Sequence, residues 1–387
     1  MPESLRILFV TPFGLAHKTT VWARTLPLAK ELRALGHHAN ILAPPWDSPE
    51  DAGVDMTIDG VTVHNLPIGG GLPAITVRLL RSIDQAKPDI VHVVKPRAYA
   101  GIAQWALWQR RRFRPAPAIF LDIDDWEQPW AAINGYPWHV ARFLAWQEEW
   151  GIRHADGITA ASRWLTERAT GVSPSIPVEY LPNGVDTGDA AQRRPTHSTG
   201  DTPAVLWFTR FVETSPQWMA AFWHALRNRL PAAKLLVAGQ ALQEGKEDAF
   251  RAALADPQVE WIGYVERERL PDLFASATCA VFPSEETPLL QAKCSVRMAT
   301  ALQHGVPVVA GAVGEQAAYG AEGAALLIPP DATPDEFARR VAALLESPDE
   351  RAAVSAAAQN RMASRYAWPR LAAQLEQFYM DVLRHAE

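Results

Sequence analysis

The chain has 387 residues, 48% of them hydrophobic, a formal net charge of −6 and two cysteines. That length exceeds one ordinary core and suits two domains of roughly 190 residues each. The acidic balance argues against general nucleic-acid binding, and two cysteines make neither a disulfide framework nor a zinc quartet. A reducing compartment is the simpler expectation. The opening MPESLRILFV carries Glu3 and only a short apolar run, which reads as a first strand rather than a secretory leader. No window reaches the roughly eighteen apolar residues of a spanning helix. The expected location is therefore cytoplasmic, with contact to the inner face of the cytoplasmic membrane left open. Ten of the 15 tryptophans lie at or before Trp164, so the first half must account for them.

Leu5 to Thr11 is a continuous apolar run closed by Pro12 and Gly14, the pattern of a central parallel strand covered on both faces. Trp22, Leu26, Ala29, Leu32 and Leu35 then recur at helical spacing until Gly36, and Ala39 to Ala43 gives a second strand. This βαβ unit puts its loop at the carboxyl end of the first strand, where ligands bind in open α/β sheets. The GxGxxG fingerprint is absent, which removes support for a nicotinamide or flavin cofactor. Residues 59–66 and 89–94 read as further strands, the second followed by Lys95, Pro96 and Arg97. The helix predicted over 98–112 joins Trp105 and Trp108 to Arg110, Arg111 and Arg112, with Arg114 beyond. Two readings stay open for it: peripheral membrane contact through indoles and arginines, and a core tryptophan face with a solvated cationic end that suits the helix dipole.

Ala118 to Ile123 is the next buried strand and runs straight into Asp124, Asp125, Trp126 and Glu127. Like charges crowded at the end of a central strand raise one another's pKa and cost stability, so together with Asp122 they point to a ligand site. One of them alone also suits an N-cap. A helix over 139–154 follows, then a strand over 157–161, a helix over 162–169 capped by Ser162, and a strand over 177–181 ending in Pro182, Asn183, Gly184 and Val185.

Residues 187–203 are polar, hold Gly188, Pro195, Gly200 and Pro203, and show no apolar period, which marks a linker. The β/α alternation then restarts: strands over 205–209, 234–238, 259–263 and 279–282, with helices over 217–230 and 270–275. The stretch 283–319 has the shape of a phosphate site. It carries a polar loop, Lys293 and Arg297 at helical i, i+4 spacing, a buried strand over 306–310 and a glycine turn. A solvated helix face explains the two cations equally well. Alanine-rich helices over 336–345 and 349–366 precede a last helix from Pro369, long enough to cross back to the first half. The organisation expected is α/β: two doubly wound, Rossmann-like parallel-sheet lobes facing a cleft, at 1–186 and 204–365, with 366–387 packing on the first.

The order of RILFVTPFG, LRALGHHANIL, KPDIVHVVKP, LPNGVD, FTRF, EWIGYV and KCSVRMATALQHGVPVVAGAVG resembles the family 4 retaining glycosyltransferases of the GT-B fold over essentially the whole chain. The variants LDIDDWE and KCSVR look like those of a bacterial subgroup; they do not name its acceptor, for which a cell-envelope glycan is one expectation. The resemblance implies transfer of a sugar from a UDP- or GDP-sugar to a glycan, a lipid-linked or a small-molecule acceptor, with retention, without an obligatory metal or other cofactor, and with no nucleic-acid partner. It implies that Arg210 clamps the diphosphate. The family's lysine five positions on is Ser215 here, a lost contact worth roughly 1.5–3 kcal/mol, so Lys293 and then Arg297 are expected to replace it. The pair of glutamates eight apart falls on Ala292 and Thr300, which leaves Glu285 or Glu286 to supply a carboxylate. The later glutamate falls on Ala318, with Glu315 and Gln316 close by. Gly14, Tyr264 and Ser295 complete the donor contacts implied. Asp124 stands where the family commonly has a histidine and would orient the acceptor hydroxyl. Asp125, Glu127, Lys95 and Trp126 would line the acceptor. The catalytic set implied is Asp124, Asp125, Arg210 and Lys293.

A noncatalytic nucleotide- or glycan-binding scaffold on the same fold is the alternative, favoured by the missing lysine and glutamates. A nucleotide-sugar epimerase shares the two lobes but calls for more acidic and histidine residues around the donor. A periplasmic binding protein calls for a leader.

Overall fold

Residues 4–15, 20–186 and 202–386 are described by the computed structural model of the chain, which separates into two units. Unit 1 comprises Met1–Asn183, Ala292–Cys294 and Trp368–Glu387, and unit 2 comprises Gly184–Gln291 and Ser295–Ala367. The linker expected at 187–203 lies almost wholly outside the described residues.

Unit 1 begins β1 (Arg6–Val10), α1 (Leu26–Ala34), β2 (His38–Ala43), β3 (Asp55–Ile58), β4 (Val61–Asn65), α2 (Gly71–Ala86) and β5 (Ile90–Val94). It continues with α3 (Ala98–Arg110), β6 (Ala118–Ile123), α4 (Glu127–Ile133), α5 (Trp138–Ile152), β7 (Gly157–Ala160), α6 (Arg163–Val172) and β8 (Val178–Tyr180). The strands form one sheet in the order β3-β4-β2-β1-β5-β6-β7-β8, parallel throughout except for the β3–β4 pair at its edge. That pair corrects the single strand expected over 59–66. Asp59 and Gly60, at φ 50° and 80°, turn a hairpin of the kind that needs two left-handed residues. The helix expected from Trp22 starts as a π-helical turn, Val21–Thr25, before α1, and this turn carries Arg24 into the interior. Helix α2 went unread because three glycines, 69 to 71, obscure its start, although Ile75, Leu79 and Ile83 are its buried stripe.

Unit 2 contains β9 (Ala204–Thr209), α7 (Pro216–Arg229), β10 (Lys234–Gly239), α8 (Lys246–Ala253), β11 (Val259–Gly263), α9 (Leu270–Ala275) and β12 (Cys279–Phe282). Then come α10 (Pro288–Ala292), α11 (Val296–Gln303), β13 (Val308–Gly311), α12 (Gly314–Gly320), β14 (Leu326–Ile328), α13 (Pro334–Glu346) and α14 (Pro348–Arg365). The sheet is parallel, in the order β11-β10-β9-β12-β13-β14. At its carboxyl edge Gly239 has φ 120°, and a Cβ there would lie 1.9 Å from the Thr209 carbonyl oxygen. Only glycine lets β10 close on the end of β9. Ser215, in the family's lysine position, caps α7 by accepting from Trp218 N at 3.2 Å.

The last helix, α15 (Trp368–Ala386), belongs to unit 1. Its Leu371, Leu375, Phe378 and Tyr379 share a core with Phe9, Leu28, Ile41 and Phe120. Polar ties hold its register: His37 Nε2 lies 2.9 Å from Glu376 Oε1, and the Tyr379 hydroxyl is hydrogen-bonded to His92 Nδ1. Burial holds His92 down at about 4, with Arg24 adding to the depression, so the ring is neutral at pH 7. Leu375 is fully buried. Leu375→Ala is expected to cost about 2–5 kcal/mol, read by urea unfolding. Leu72→Ala, on an exposed face of α2, is expected to stay within about 0.5 kcal/mol of the parent.

Candidate functional site

The carboxyl ends of β5 and β6 carry a cluster of five charges. Lys95 follows β5 directly with φ 60°, a strained value for a non-glycine residue, and is held there by its own N–H to the Asp122 carbonyl at 2.9 Å. Its ammonium lies 2.7 Å from Asp124 Oδ1 and 2.8 Å from Glu127 Oε1. Glu127 also pairs with Arg97, whose other nitrogen donates to the Tyr136 hydroxyl at 3.3 Å. Thr20 donates to Asp124 Oδ2 at 3.0 Å. Burial works against the Lys95 charge, but Asp124 and Glu127 outweigh it and hold its pKa well above the ordinary lysine range. Two of the acids are thus matched by cations. The sequence pattern showed the acids and Lys95, but not that Arg97 belongs with them.

Asp125 is the acid left in surplus. Burial pushes its carboxyl up to about 6, with Glu127 and Asp124 adding to the rise and Lys95 opposing it. Its Oδ1 accepts from Trp126 N at 2.9 Å. Lys293 reaches this neighbourhood: its Nζ lies 5.9 Å from the Trp130 ring centroid. Trp126 packs on Trp164 at 4.9 Å with Arg168 over its ring, so its indole is engaged within unit 1. Behind the cluster Glu148 on α5, 1% exposed, is pushed by burial up to about 7.

Asp122 does not face this cluster. It sits on the Phe120 side of β6, as strand alternation requires, and forms a buried two-point pair with Arg24 at 2.6 and 2.8 Å. Arg24 lies on the buried face of its helix with Val21 and Leu28. An arginine in an apolar stripe calls for a buried carboxylate, and that signal was available in the sequence.

In unit 2 the residues at the end of β9 build a cationic site. Glu213, 7% exposed, accepts through Oε2 from Thr209 Oγ1 at 2.9 Å, Val212 N at 3.1 Å and Arg210 N at 3.3 Å. Its Oε1 takes the Arg297 guanidinium at 2.6 Å. Phe211, at φ 61°, sharpens this turn. Burial, and next the neighbouring Arg297, lower the Arg210 pKa, while Glu213 and Tyr264 pull the other way. Arg210 and Arg297 therefore converge around one carboxylate, with Tyr264 near Arg210. Glu213 was missed in the sequence; the spacing RFVE, an acid three residues after the arginine, was its only signal.

The remaining expected positions divide. Lys293 and Arg297 do not share a helix face: α11 begins at Val296, Ser295 caps it by accepting from Met298 N at 3.3 Å, and Lys293 belongs to unit 1. Thr300 turns its hydroxyl to the Val296 carbonyl at 2.8 Å. Glu285 and Glu286 are exposed, and Glu286 accepts from Gln291 at 3.3 Å. Glu315 and Gln316 are buried in the first turn of α12. Oriented to suit its neighbours, the Gln316 amide donates to Gly311 O at 3.0 Å and Phe282 O at 3.1 Å. The Gly14 N–H goes to Asp47 at 2.7 Å, and a Cβ there would lie 2.9 Å from Pro45 Cβ and Ser48 Oγ. The tight loop packing requires this glycine. At the end of α3 the cationic run is largely neutralised: Arg110 and Arg114 pair with Asp84, and Arg111 pairs with Asp156 and lies 4.6 Å over Trp108. Trp108 meets His154 edge-on at 5.4 Å, while Trp105 and Arg112 are exposed. This counts against Trp105, Trp108, Arg110, Arg111 and Arg112 as a membrane-contact group.

The raised Asp125 pKa sets a sign. Its protonated form is favoured in the fold, so this contribution is complete below about pH 4 and is lost as pH rises through about 6. Asp125→Asn is expected to gain stability relative to the parent across that window. The gain should be on the order of 1–2 kcal/mol once solvent screening at this incompletely buried carboxyl is allowed for, read by urea unfolding at pH 4, 5, 6 and 8.

Two family descriptions match the chain: "Glycosyl transferase 4-like domain" over residues 19–184 and "Glycosyl transferases group 1" over residues 202–347. The chain is 26% identical over 358 residues to a GDP-mannose-dependent alpha-(1-6)-phosphatidylinositol monomannoside mannosyltransferase of Mycobacterium tuberculosis, covering 88% of this chain and 89% of the relative. The Mycolicibacterium smegmatis protein of the same name is 28% identical over 348 residues, covering 86% and 87%. Among solved structures, sucrose-phosphate synthase from Thermosynechococcus elongatus superposes with a TM-score of 0.74 at 19% identity, covering 98% of this chain and all of that one. HepE of Anabaena in complex with UDP and glucose gives 0.66 at 18% identity, covering 97% and 99%. The two parallel-sheet units, the returning helix α15 and both family matches make this chain a member of the group 1, family 4 retaining glycosyltransferases, GT-B enzymes that use nucleotide-sugar donors.

Proposed function

We propose that the protein transfers a mannosyl residue from GDP-mannose to a hydroxyl of a lipid-linked acceptor, with retention and without an obligatory metal. The carrying observation is the Arg210–Arg297 pair held by Glu213, a cationic site at the carboxyl edge of a parallel sheet. Two guanidiniums against one carboxylate leave a net positive charge for a diphosphate. The choice of GDP-mannose and of a lipid acceptor comes from the two mannosyltransferases at 26% and 28% identity.

The chemistry assigned to these residues is as follows. The bond between the anomeric carbon and the donor phosphate breaks, and the electron pair leaves with the diphosphate. Charge grows on its oxygens as the transition state is reached, so Arg210 and Arg297 stabilise that state more than the ground state. The acceptor oxygen bonds to the anomeric carbon on the face the phosphate leaves, and its proton passes to the departing phosphate. In unit 1 Asp124, oriented by Lys95 and Thr20, orients the acceptor hydroxyl before transfer, and the proton itself goes to the departing phosphate. Asp125 lines the acceptor position, and Lys293 stands beside Trp130 at its edge. Glu127 braces Lys95 and Arg97.

For a lipid-linked acceptor the surface assigned to the bilayer is the outer face of α5, not the arginine run of α3. Trp138, Phe143 and Trp146 are 77%, 42% and 46% exposed there, and Phe143 stacks on Trp146 at 5.8 Å. Arg142 shares this exposed face. Indoles beside a cation suit the headgroup layer.

Purified protein is expected to release GDP when given GDP-mannose and a lipid-linked acceptor, and to melt at higher temperature with GDP. Arg210→Ala or Arg297→Ala should weaken GDP binding about tenfold to a hundredfold, the worth of one charge-assisted contact, measured by calorimetric titration. Unchanged affinity in both variants rules out this diphosphate site. In liposome flotation the parent should rise with vesicles containing phosphatidylglycerol, and Trp138→Ser with Trp146→Ser should cut the floated fraction several-fold. Equal flotation of this double variant and the parent removes the α5 assignment.

A further inference from the structure

Between Gln291 and Ser295 the chain leaves unit 2 and returns, and the three residues between, Ala292–Cys294, belong to unit 1. They sit against a buried polar chain that the reaction above does not use. Asn183, 6% exposed, grips Cys294 twice: its backbone N–H meets Sγ at 3.3 Å, and its Nδ2 donates to the Cys294 carbonyl at 2.9 Å. The same side chain is held from behind, where Arg24 donates through Nη1 to Asn183 Oδ1 at 3.2 Å. Arg24, 1% exposed, is fixed by its two-point pair with Asp122, and Asp122 Oδ1 also accepts from Thr159 at 2.7 Å. Thr159 continues to His92 at 3.3 Å, and His92 to the Tyr379 hydroxyl of α15. Ala292, wholly buried, is packed in the core of unit 1.

We infer that Asn183, anchored by Arg24, is a positioning residue for Lys293: by clamping Cys294 it sets where the preceding ammonium stands beside Trp130. The geometry favours a clamp over simple packing. Asn183 uses its amide oxygen toward Arg24 and its amide nitrogen toward the Cys294 carbonyl, so the amide works as a two-ended link. Lys293 itself has a long, flexible stem, and a lysine placed by its own contacts alone loses much rotamer freedom. Fixing the backbone one residue away narrows the positions its ammonium can reach. The inference rests on the role for Lys293 proposed above, and its test separates the two.

Asn183→Asp keeps the oxygen toward Arg24 but replaces the donor facing the Cys294 carbonyl with an acceptor, so it removes the side-chain grip, leaves the backbone N–H on Sγ, and does not orphan Arg24. Asn183→Ala removes both ends. Cys294 is 7% exposed and Cys279 is fully buried in unit 2, which makes Cys279 an internal control. With iodoacetamide at pH 8 and peptide mapping of the full chain, Cys294 should react slowly in the parent and at least about tenfold faster in Asn183→Asp. Cys279 should stay protected, and the circular dichroism spectrum should be unchanged. In sugar-transfer assays with GDP-mannose, Asn183→Asp should lower kcat about as much as Lys293→Ala, with a smaller change in donor KM, and the double variant should lose no more than either single one. An unchanged Cys294 labelling rate overturns the clamp. Multiplying losses in the double variant overturn the route through Lys293. Should Lys293→Ala leave turnover intact while Asn183→Asp still frees Cys294, the role of Lys293 fails and with it the functional half of this inference, while the clamp stands.

Discussion

The buried pair between Arg24 and Asp122 is the interaction around which unit 1 is assembled. Taking a guanidinium and a carboxylate out of water costs several kcal/mol for each ion. Their two short contacts, at 2.6 and 2.8 Å, offset that only because the remaining polar positions are also filled, by Thr159 on the acid and Asn183 on the base. Each partner comes from a different stretch of chain: the first helix, β6, β7, and the last residue of unit 1 before the chain enters unit 2. His92 extends the chain of contacts to α15. A residue from any of these segments is needed to satisfy the next, so the network specifies one arrangement where an apolar core alone would tolerate several.

The same sheet carries a second, outward group of charges, and the alternation of β6 keeps the two apart. Asp122 points to the Phe120 side, while the chain beyond Ile123 turns Asp124 and Glu127 toward Lys95 and Arg97. The inner pair is fully neutralised and structural. The outer group holds one acid more than it has cations, and the acid left over, Asp125, has its pKa raised by burial first, with Glu127 and Asp124 adding to the rise.

Much of the architecture was legible because its signals are local. Apolar runs such as those of β1, β5 and β6, stopped by proline or glycine, can only be covered parallel strands, and the repeat of the alternation after residue 203 gave the second sheet. The stripe of Leu371, Leu375, Phe378 and Tyr379 announced a helix that had to find a core. What was not legible depends on contacts between distant segments. The i, i+4 spacing of Lys293 and Arg297 assumes an unbroken helix, yet Ser295 supplies an N-cap between them and the chain changes unit there. Thr300 and Ser215, which departed from the family pattern, turn out to satisfy their own helices. Asp122 looked like one more acid in a run until Arg24, 98 residues earlier, gave it a partner. Glu213 carried no periodic signal at all, because its four contacts gather within a turn and on one arginine from β9 to α11.

In unit 2 the decisive feature is that two guanidiniums are held close together by a protein that supplies one carboxylate between them. Arg297 is oriented by Glu213, while Arg210 gives that acid only its backbone N–H and an electrostatic attraction, and its own charge is disfavoured by burial and by Arg297. Such an arrangement is costly by itself and is relieved by an anion that meets both cations at once. On the proposed assignment that anion is the donor diphosphate, which carries part of the needed charge when bound and more as it departs. The relief would then be greater as the glycosidic bond breaks than before it does. With the cations already in place, little reorganisation would be needed when that charge develops, and the repulsion between Arg210 and Arg297 would become a preference for the transition state.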